Sequence, residues 1–184
     1  MKIIYMRHSE PERTITDKPG LIGYGRELAP LTPNGIALAD EAAKNPMLKG
    51  AELIVSSPLT RALQTAGIIA RHTGLLINVE IGLEERRVDL RQSLSFSEAE
   101  PLWAEYKAAQ GTWPENEQRN WENIDMQHKR LKEALDKYLS YSKIIVVAHG
   151  ELSRRLHAKN MDFCEMYEID YDENFEFLPW NRDE

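Results

Sequence analysis

Cysteine is nearly absent from this chain. Cys164 is the one thiol among 184 residues, so no disulfide can form within it. Long apolar runs are missing too. The start, Met1-Lys2-Ile3-Ile4, soon reaches Arg7, His8 and Glu10 and lacks the apolar core of a secretion signal. No stretch approaches the roughly 20 apolar residues that span a bilayer. Positive charge is in deficit: 23 Lys and Arg against 30 Asp and Glu give a formal charge of -7, which argues against broad nucleic-acid binding, because neutralising many phosphates needs a basic face. No repeat at solenoid spacing, low-complexity tract, cysteine cluster or adjacent histidine pair is present. These absences lead to the expectation of a soluble, cytoplasmic protein with no nucleic-acid or membrane partner.

What is present is enough for one sizeable core, with 42% hydrophobic residues. Two stretches are near copies: Ile3-Ile4-Tyr5-Met6-Arg7-His8-Ser9-Glu10 and Ile144-Ile145-Val146-Val147-Ala148-His149-Gly150-Glu151. Each is a short apolar run ending in histidine, a small residue and glutamate. Such runs fit strands buried on both faces, and groups following the carboxyl ends of such strands line the ligand crevice of open α/β sheets. Between them, Ser56-Ser57-Pro58-Leu59-Thr60-Arg61-Ala62-Leu63-Gln64-Thr65-Ala66 puts Arg61 in the first turn of a helix. Together with Arg7, this offers two guanidiniums and two imidazoles to one anion.

Strands and helices alternate along the chain. Thr32 and Pro33 have the character of an N-cap and first helical position, opening a helix to about Lys44. Leu53–Val55 is a buried strand. Ser57 and Pro58 repeat the cap signature, and Leu59, Ala62, Leu63, Ala66, Ile69 and Ala70 recur at helical spacing up to Gly74, a C-terminal cap. Leu76–Val79 is a third strand. From about 90 to 123 the pattern changes to tryptophans among polar residues, with a helix expected from Pro101 to Ala109. This segment reads as a cap insertion lying over the sheet within a single domain, residues 1–184. An amphipathic helix from Ile124 to Tyr138 then feeds the strand ending at His149. The alternation around Tyr167–Tyr171 and Phe175–Phe177 predicts a hairpin turning at Asp172 to Asn174.

A phosphoryl group suits this set of side chains. Its oxygens need fixed cationic donors, and the arginine fork gives paired hydrogen bonds to two of them. Arg61 also sits where a helix N-terminus favours an anion. A neutral imidazole can attack phosphorus if its other nitrogen is held by a hydrogen bond, and a second histidine can stabilise the equatorial oxygens. Glu84 or Glu85, following the third strand, can protonate the leaving oxygen.

Arg7-His8-Ser9-Glu10, Leu31-Thr32 with Gly35, the Ser56 to Ala66 run, Leu83-Glu84-Glu85 and His149-Gly150 with Arg154 together resemble the histidine phosphatase superfamily, also called phosphoglycerate mutase-like. The resemblance implies a three-layer α/β/α sandwich around a mostly parallel mixed sheet, and metal-free catalysis without a cofactor. By the same resemblance His8 becomes phosphorylated, Arg7 and Arg61 hold the phosphate, and His149 is the second catalytic histidine and a substrate contact. The family's acid follows a leucine by two positions, which selects Glu85. Ser9 stands where the family usually has glycine, so the backbone there must avoid a conformation only glycine tolerates. Pro11, Arg13 and Thr14 also depart from the family pattern, leaving Thr14 or the backbone near Gly23 to supply a polar phosphate contact. Glu151, close to the anion site, must point away or pair with Arg154.

The expected activity is that of a metal-independent phosphomonoesterase acting through phosphohistidine on a small phosphorylated metabolite. Two alternatives share the fold: a phosphoglycerate-type mutase and a non-catalytic phospho-ligand binder. A mutase needs an enclosing, strongly basic cover, which the 90–123 segment does not offer. His72, His128 and His157 are read as surface or packing residues. Arg86 and Arg87 are either a solvated pair or aids to an anionic substrate, and Trp103, Trp113 and Trp121 either wall a pocket or, as the expected use, are aromatic packing under the insertion.

Overall fold

The computed structural model describes residues 1–18 and 20–181. Its strands are β1 (Lys2–Arg7), β2 (Leu53–Ser56), β3 (Ile77–Val79), β4 (Lys143–Ala148) and β5 (Met166–Asp170). Its α-helices are α1 (Arg13–Thr16), α2 (Pro33–Ala42), α3 (Thr60–Thr73), α4 (Phe96–Ala108), α5 (Ile124–Leu135) and α6 (Gly150–Leu156). The sheet runs in the order β3-β2-β4-β1-β5, parallel except for β5, which pairs antiparallel with β1.

Period-two alternation divides each central strand between two cores. Ile4, Met6, Ile54, Ile145 and Val147 face Ala62, Ala66 and Ile69 of α3, and α2 packs against α3 on that side. Ile3, Tyr5, Val55, Ile144 and Val146 face Leu131, Ala134 and Leu135 of α5 and Leu152 of α6. The result is a three-layer sandwich with a mixed, mostly parallel sheet. Ile144 to Ala148 are fully buried, and each large apolar side chain removed from water contributes about 1.5–3 kcal/mol.

Two of the three foretold caps act; the expected cap at Ser57 with Pro58 as first helical position does not form, because α3 begins at Thr60 with Leu59 as N-cap, and the Ser57 hydroxyl instead accepts from the Leu59 N–H at 3.3 Å and lies against His149. The Thr32 hydroxyl accepts from the Gly35 N–H at 2.8 Å, and Gly74 closes α3 in the left-handed conformation at φ 74°. The helix expected from Pro101 instead begins at Phe96, because Ser95 and Glu98 form a reciprocal capping box upstream. Pro101 lies inside it. The expected hairpin is not formed. Asp172 does turn the chain, accepting from the Phe175 N–H at 3.1 Å, but Phe175 and Phe177 form no strand. Their rings instead pack near Tyr171, at 5.2 and 6.3 Å, because burying two phenyl groups against the α5-side core outweighs extending an exposed sheet edge.

The segment after Asp89 is pinned at its neck. Asp89 accepts from the N–H groups of Arg91, Ser93 and Leu94 and from the Asn120 side chain. Trp121 is fully buried, and its carbonyl accepts from the Trp113 indole at 3.0 Å. Trp103 does not pack beneath this segment; it stacks on Tyr106 at the wall of a cavity. Among the described residues no helix is long and apolar enough to cross a membrane.

Candidate active site

Three neighbouring parallel strands end side by side. The His8 N–H continues the ladder to the Ala148 carbonyl at 2.9 Å, and the Ser57 N–H reaches the Val147 carbonyl at 3.0 Å. His8, His149 and Ser57 are thereby brought together from distant parts of the chain. The two imidazole centroids lie 5.0 Å apart.

His8 is held in one tautomer. Its Nδ1 lies 2.7 Å from the Ser9 carbonyl, which can only accept, so Nδ1 carries the proton and Nε2 the lone pair. Arg61 Nε donates to that Nε2 at 3.1 Å. Burial, then the charge of Arg61, lowers the His8 pKa well below the ordinary histidine value, so the ring is neutral, with its Nε2 lone pair engaged by Arg61. His149 is likewise held neutral by burial and by Arg61. Its backbone exchanges two hydrogen bonds with the Tyr5 hydroxyl, at 2.7 and 3.1 Å, and its Nε2 lies 2.7 Å from Ser57 Oγ. Its Nδ1 is buried without a hydrogen-bond partner among the described residues.

Ser9 has no positive φ and is accommodated without strain. Its N–H donates to Thr65 Oγ1 at 3.0 Å and its hydroxyl to the Gly35 carbonyl at 2.6 Å, tying the loop after His8 to α3 and α2.

A cavity of about 590 Å³ adjoins the histidine cluster through Arg7, Arg61 and Gly150, and is lined also by Arg13, Arg26, Arg86 and Arg154 together with Glu27, Glu85, Glu100 and Glu151; neither histidine is itself part of the lining. Arg7 donates to the Met161 carbonyl and lies over the Phe163 ring at 4.5 Å, leaving its buried Nε without a partner. Gly150 makes room for it: a Cβ there would come within 3.2 Å of Arg7 Nε. Arg61 is fully buried, and its Nη1 pairs with Glu27 Oε2 at 2.8 Å. A carboxylate thus occupies a guanidinium that a phosphoryl group would need. We expect Glu27→Gln to lower the inhibition constant of vanadate or inorganic phosphate by several-fold; an unchanged constant would mean that Glu27 does not compete for Arg61.

The two candidate acids separate cleanly. Glu84 turns away, pairing with Arg87 at 3.0 Å and accepting from the Tyr24 hydroxyl at 3.4 Å. Glu85 lines the cavity, with Oε1 accepting from the Arg86 N–H at 2.9 Å and Oε2 from the Glu151 N–H at 3.4 Å. Burial, then the charge of Glu151, raises the Glu85 pKa above the ordinary carboxylate value. Arg130 of α5 anchors this turn, donating to the Gly82 and Glu84 carbonyls at 2.7 Å while paired with Glu122.

Gly23 and Thr14 are not brought to this cavity. The Gly23 N–H is taken by the Leu94 carbonyl at 3.0 Å, and at φ 51° its missing Cβ lets the Gln92 carbonyl approach to where a side chain would clash. It is a packing glycine for the 89–95 turn. Thr14 is exposed, and its hydroxyl is engaged by Glu12. Arg86 is no solvated residue: it is buried, 4.4 and 4.1 Å from the Trp103 and Tyr106 ring centroids. Glu151 does not pair with Arg154, which instead binds the Asn181 carbonyl at 3.4 Å. The remaining histidines are surface or packing residues: His72 pairs with Asp40, His128 stacks on Phe177 and His157 on Tyr167. Glu27, Arg13, Arg26, Tyr5 and Ser57 escape sequence reasoning as site residues. Only Ser57 carries a signal, its place in the run leading to Arg61.

Fold and site together define an α/β protein in which two buried histidines, Arg7, Arg61 and a carboxyl of raised pKa gather at the ends of parallel strands. The model of the histidine phosphatase superfamily, branch 1, matches residues 3–174, and the chain belongs to that family. A probable phosphoglycerate mutase, GpmB, of Yersinia pestis (strain Pestoides F) is 27% identical over 98% of this chain and 87% of its own length. Among solved structures, mycobacterial glucosyl-3-phosphoglycerate phosphatase superposes with a TM-score of 0.70 at 20% identity, covering 99% of each chain. The alpha-ribazole phosphatase of Shigella flexneri gives 0.68 at 20% identity, covering 99% of this chain and 96% of its own. These two show a shared fold.

Proposed function

We propose that this protein is a metal-independent phosphomonoesterase that acts through a phosphohistidine on a small phosphorylated metabolite. The observation that carries the reading is the meeting of Arg7, Arg61 and Glu85 around one cavity, with Arg61 Nε on the lone pair of His8. As substrate binds, Arg61 Nε gives up its hydrogen bond to His8 Nε2 for a phosphoryl oxygen, and the freed Nε2 lone pair attacks phosphorus while the bond from phosphorus to the leaving oxygen breaks. Glu85 gives its proton to that oxygen. Water then attacks the phosphohistidine, Glu85 takes a proton from it, and inorganic phosphate leaves with His8 restored. Arg7 and Arg61 bind the transferring oxygens throughout, and His149 stabilises charge on them. The imidazolium character that develops on His8 is balanced at Nδ1 by the Ser9 carbonyl.

The 90–123 segment serves as the cap of a single domain. Its contributions to the cavity are Phe96, Ala99, Glu100 and Trp103, none of them basic. A mutase must hold its phosphoenzyme away from water and rebind an anionic intermediate, and this apolar and acidic wall favours hydrolysis instead. Location in the cytoplasm accords with this reading.

Release of phosphate from a generic aryl phosphate is expected to survive exhaustive metal chelation and to be inhibited by vanadate, a mimic of the five-coordinate phosphoryl centre. Complete loss with chelator, restored by zinc or magnesium, overturns the metal-free mechanism. Phosphoglycerate isomerisation faster than phosphate release would move the assignment to the mutase.

A further inference from the structure

We propose that Ser57 is a positioning residue for the second histidine: its hydroxyl donates to His149 Nε2, keeps the ring proton on Nδ1, and so turns His149 into a hydrogen-bond donor for the transferring phosphoryl oxygens. The proposal rests on the phosphatase reading given above.

Hydrogen-bond accounting at a contact closed to solvent decides the direction. Ser57 and His149 are both fully buried, and Ser57 Oγ lies 2.7 Å from His149 Nε2. The Leu59 N–H donates to the same oxygen at 3.3 Å. A hydroxyl has one proton to give and two lone pairs to offer. Among the described residues Nε2 is the only acceptor that meets the Ser57 proton. If Nε2 carried the ring proton and gave it to the serine, the hydroxyl proton would be buried without an acceptor and the Nδ1 lone pair without a donor. With the serine donating, the hydroxyl, the Leu59 N–H and Nε2 are all paired. One group is left over: the Nδ1 N–H, buried and without a partner among the described residues.

That leftover donor stands beside the nucleophile. The His149 backbone is pinned by the Tyr5 hydroxyl, and its ring centroid is 5.0 Å from that of His8. With Nε2 spent on Ser57, Nδ1 is the one ring nitrogen left to meet an oxygen of the phosphoryl group that His8 attacks. The two rings then hold their protons on the same atom and offer opposite ends to the substrate. His8 gives its Nδ1 proton to the Ser9 carbonyl and uses the Nε2 lone pair on phosphorus, whereas His149 gives its Nε2 lone pair to Ser57 and uses the Nδ1 proton on oxygen. Burial and the charge of Arg61, which hold His149 neutral, agree with this arrangement, since a neutral ring donates from Nδ1 only when Nε2 is the acceptor. Ser57 itself exchanges no proton with substrate.

The test is an NMR reading of the ring nitrogens of His149 near neutral pH, in protein carrying isotope-labelled histidine and assigned by the signals lost in His149→Ala. The wild type should show a protonated Nδ1 and an unprotonated Nε2. Vanadate, in the place of the transferring phosphoryl group, should shift the Nδ1 signal and leave the tautomer unchanged. Ser57→Ala should move the ring proton toward Nε2 and lower kcat for an aryl phosphate several-fold, with KM changing less. Ser57→Thr, which keeps the hydroxyl, should restore both. Added to His149→Ala, Ser57→Ala should cost nothing further, whereas a merely structural serine would cost the same with or without the histidine. A wild-type His149 protonated at Nε2, an Nδ1 signal indifferent to vanadate, or full additivity of the two losses overturns the proposal while leaving the phosphatase reading intact. A wild type that neither releases phosphate from the aryl phosphate nor takes label at His8 overturns the phosphatase reading itself, and this proposal with it.

Discussion

His8→Ala is expected to abolish turnover and covalent labelling together, with a loss of roughly 10⁴-fold or more in kcat, as when other enzymes lose a nucleophile. The reason is specific to this ring. Burial and Arg61 keep it neutral, the Ser9 carbonyl holds the proton on Nδ1, and Nε2 is left as the one nitrogen with a lone pair. Phosphohistidine is labile in acid and stable in alkali, so a brief exposure to labelled substrate followed by an alkaline quench should trap label on the peptide containing His8, at Nε2. His149→Ala should slow phosphorylation by roughly 10²–10³-fold, the range for losing one stabilising donor, while some label still reaches His8. Label on His149 in the wild type, or label persisting in His8→Ala, would reverse the two roles.

Glu85→Gln is expected to depend strongly on the leaving group. An alkoxide departs only with a proton, so alkyl phosphates should lose roughly 10²–10⁴-fold in kcat/KM, whereas an aryl phosphate should be within a few-fold of wild type. The pH dependence follows from the signs. Glu85 must be protonated to act, and its pKa is raised by burial and by Glu151, so activity on alkyl phosphates falls as pH rises through that elevated value. His8 must be neutral, and its pKa is lowered, so it imposes no acid limb near the ordinary histidine value. Glu85→Gln should remove the alkaline limb. Glu84→Gln should do much less, because that carboxylate is spent on Arg87 and Tyr24. Leaving-group-independent losses at Glu85 would indicate a structural role, and the opposite ranking would give the acid to Glu84.

Most of the candidate site is legible in the sequence because it sits at the ends of elements with strong local signals. The apolar runs before His8 and His149 become β1 and β4, and the Ser56 to Ala66 run becomes the end of β2 and the start of α3. Two elements differ from expectation, one for a local and one for a long-range reason. A hairpin after Tyr171 and a helix start at Pro101 follow from local pattern, whereas the Phe175 and Phe177 rings find a core and Ser95 with Glu98 forms a cap. The Ser95-x-x-Glu98 signal is present in the chain; the destination of two phenylalanines is not.

By itself the sequence determined the alternation of elements, the two strand-end histidines, Arg61 in its helix, and the formal net charge of -7. Those properties depend on periodicity, capping and charge, which act over a few residues or over the whole composition. Only the tertiary structure decided that Glu85 rather than Glu84 faces the arginines by its geometry, that Glu27 sits on Arg61, that Arg86 is buried between aromatic rings, that Gly23 serves packing, and that Glu151 lies against the acid. Each of these is a contact between segments tens of residues apart, set by how layers and loops pack against one sheet edge. No local pattern in the chain encodes which long-range partner a charged side chain meets, and that partner is what sets its proton affinity and its role.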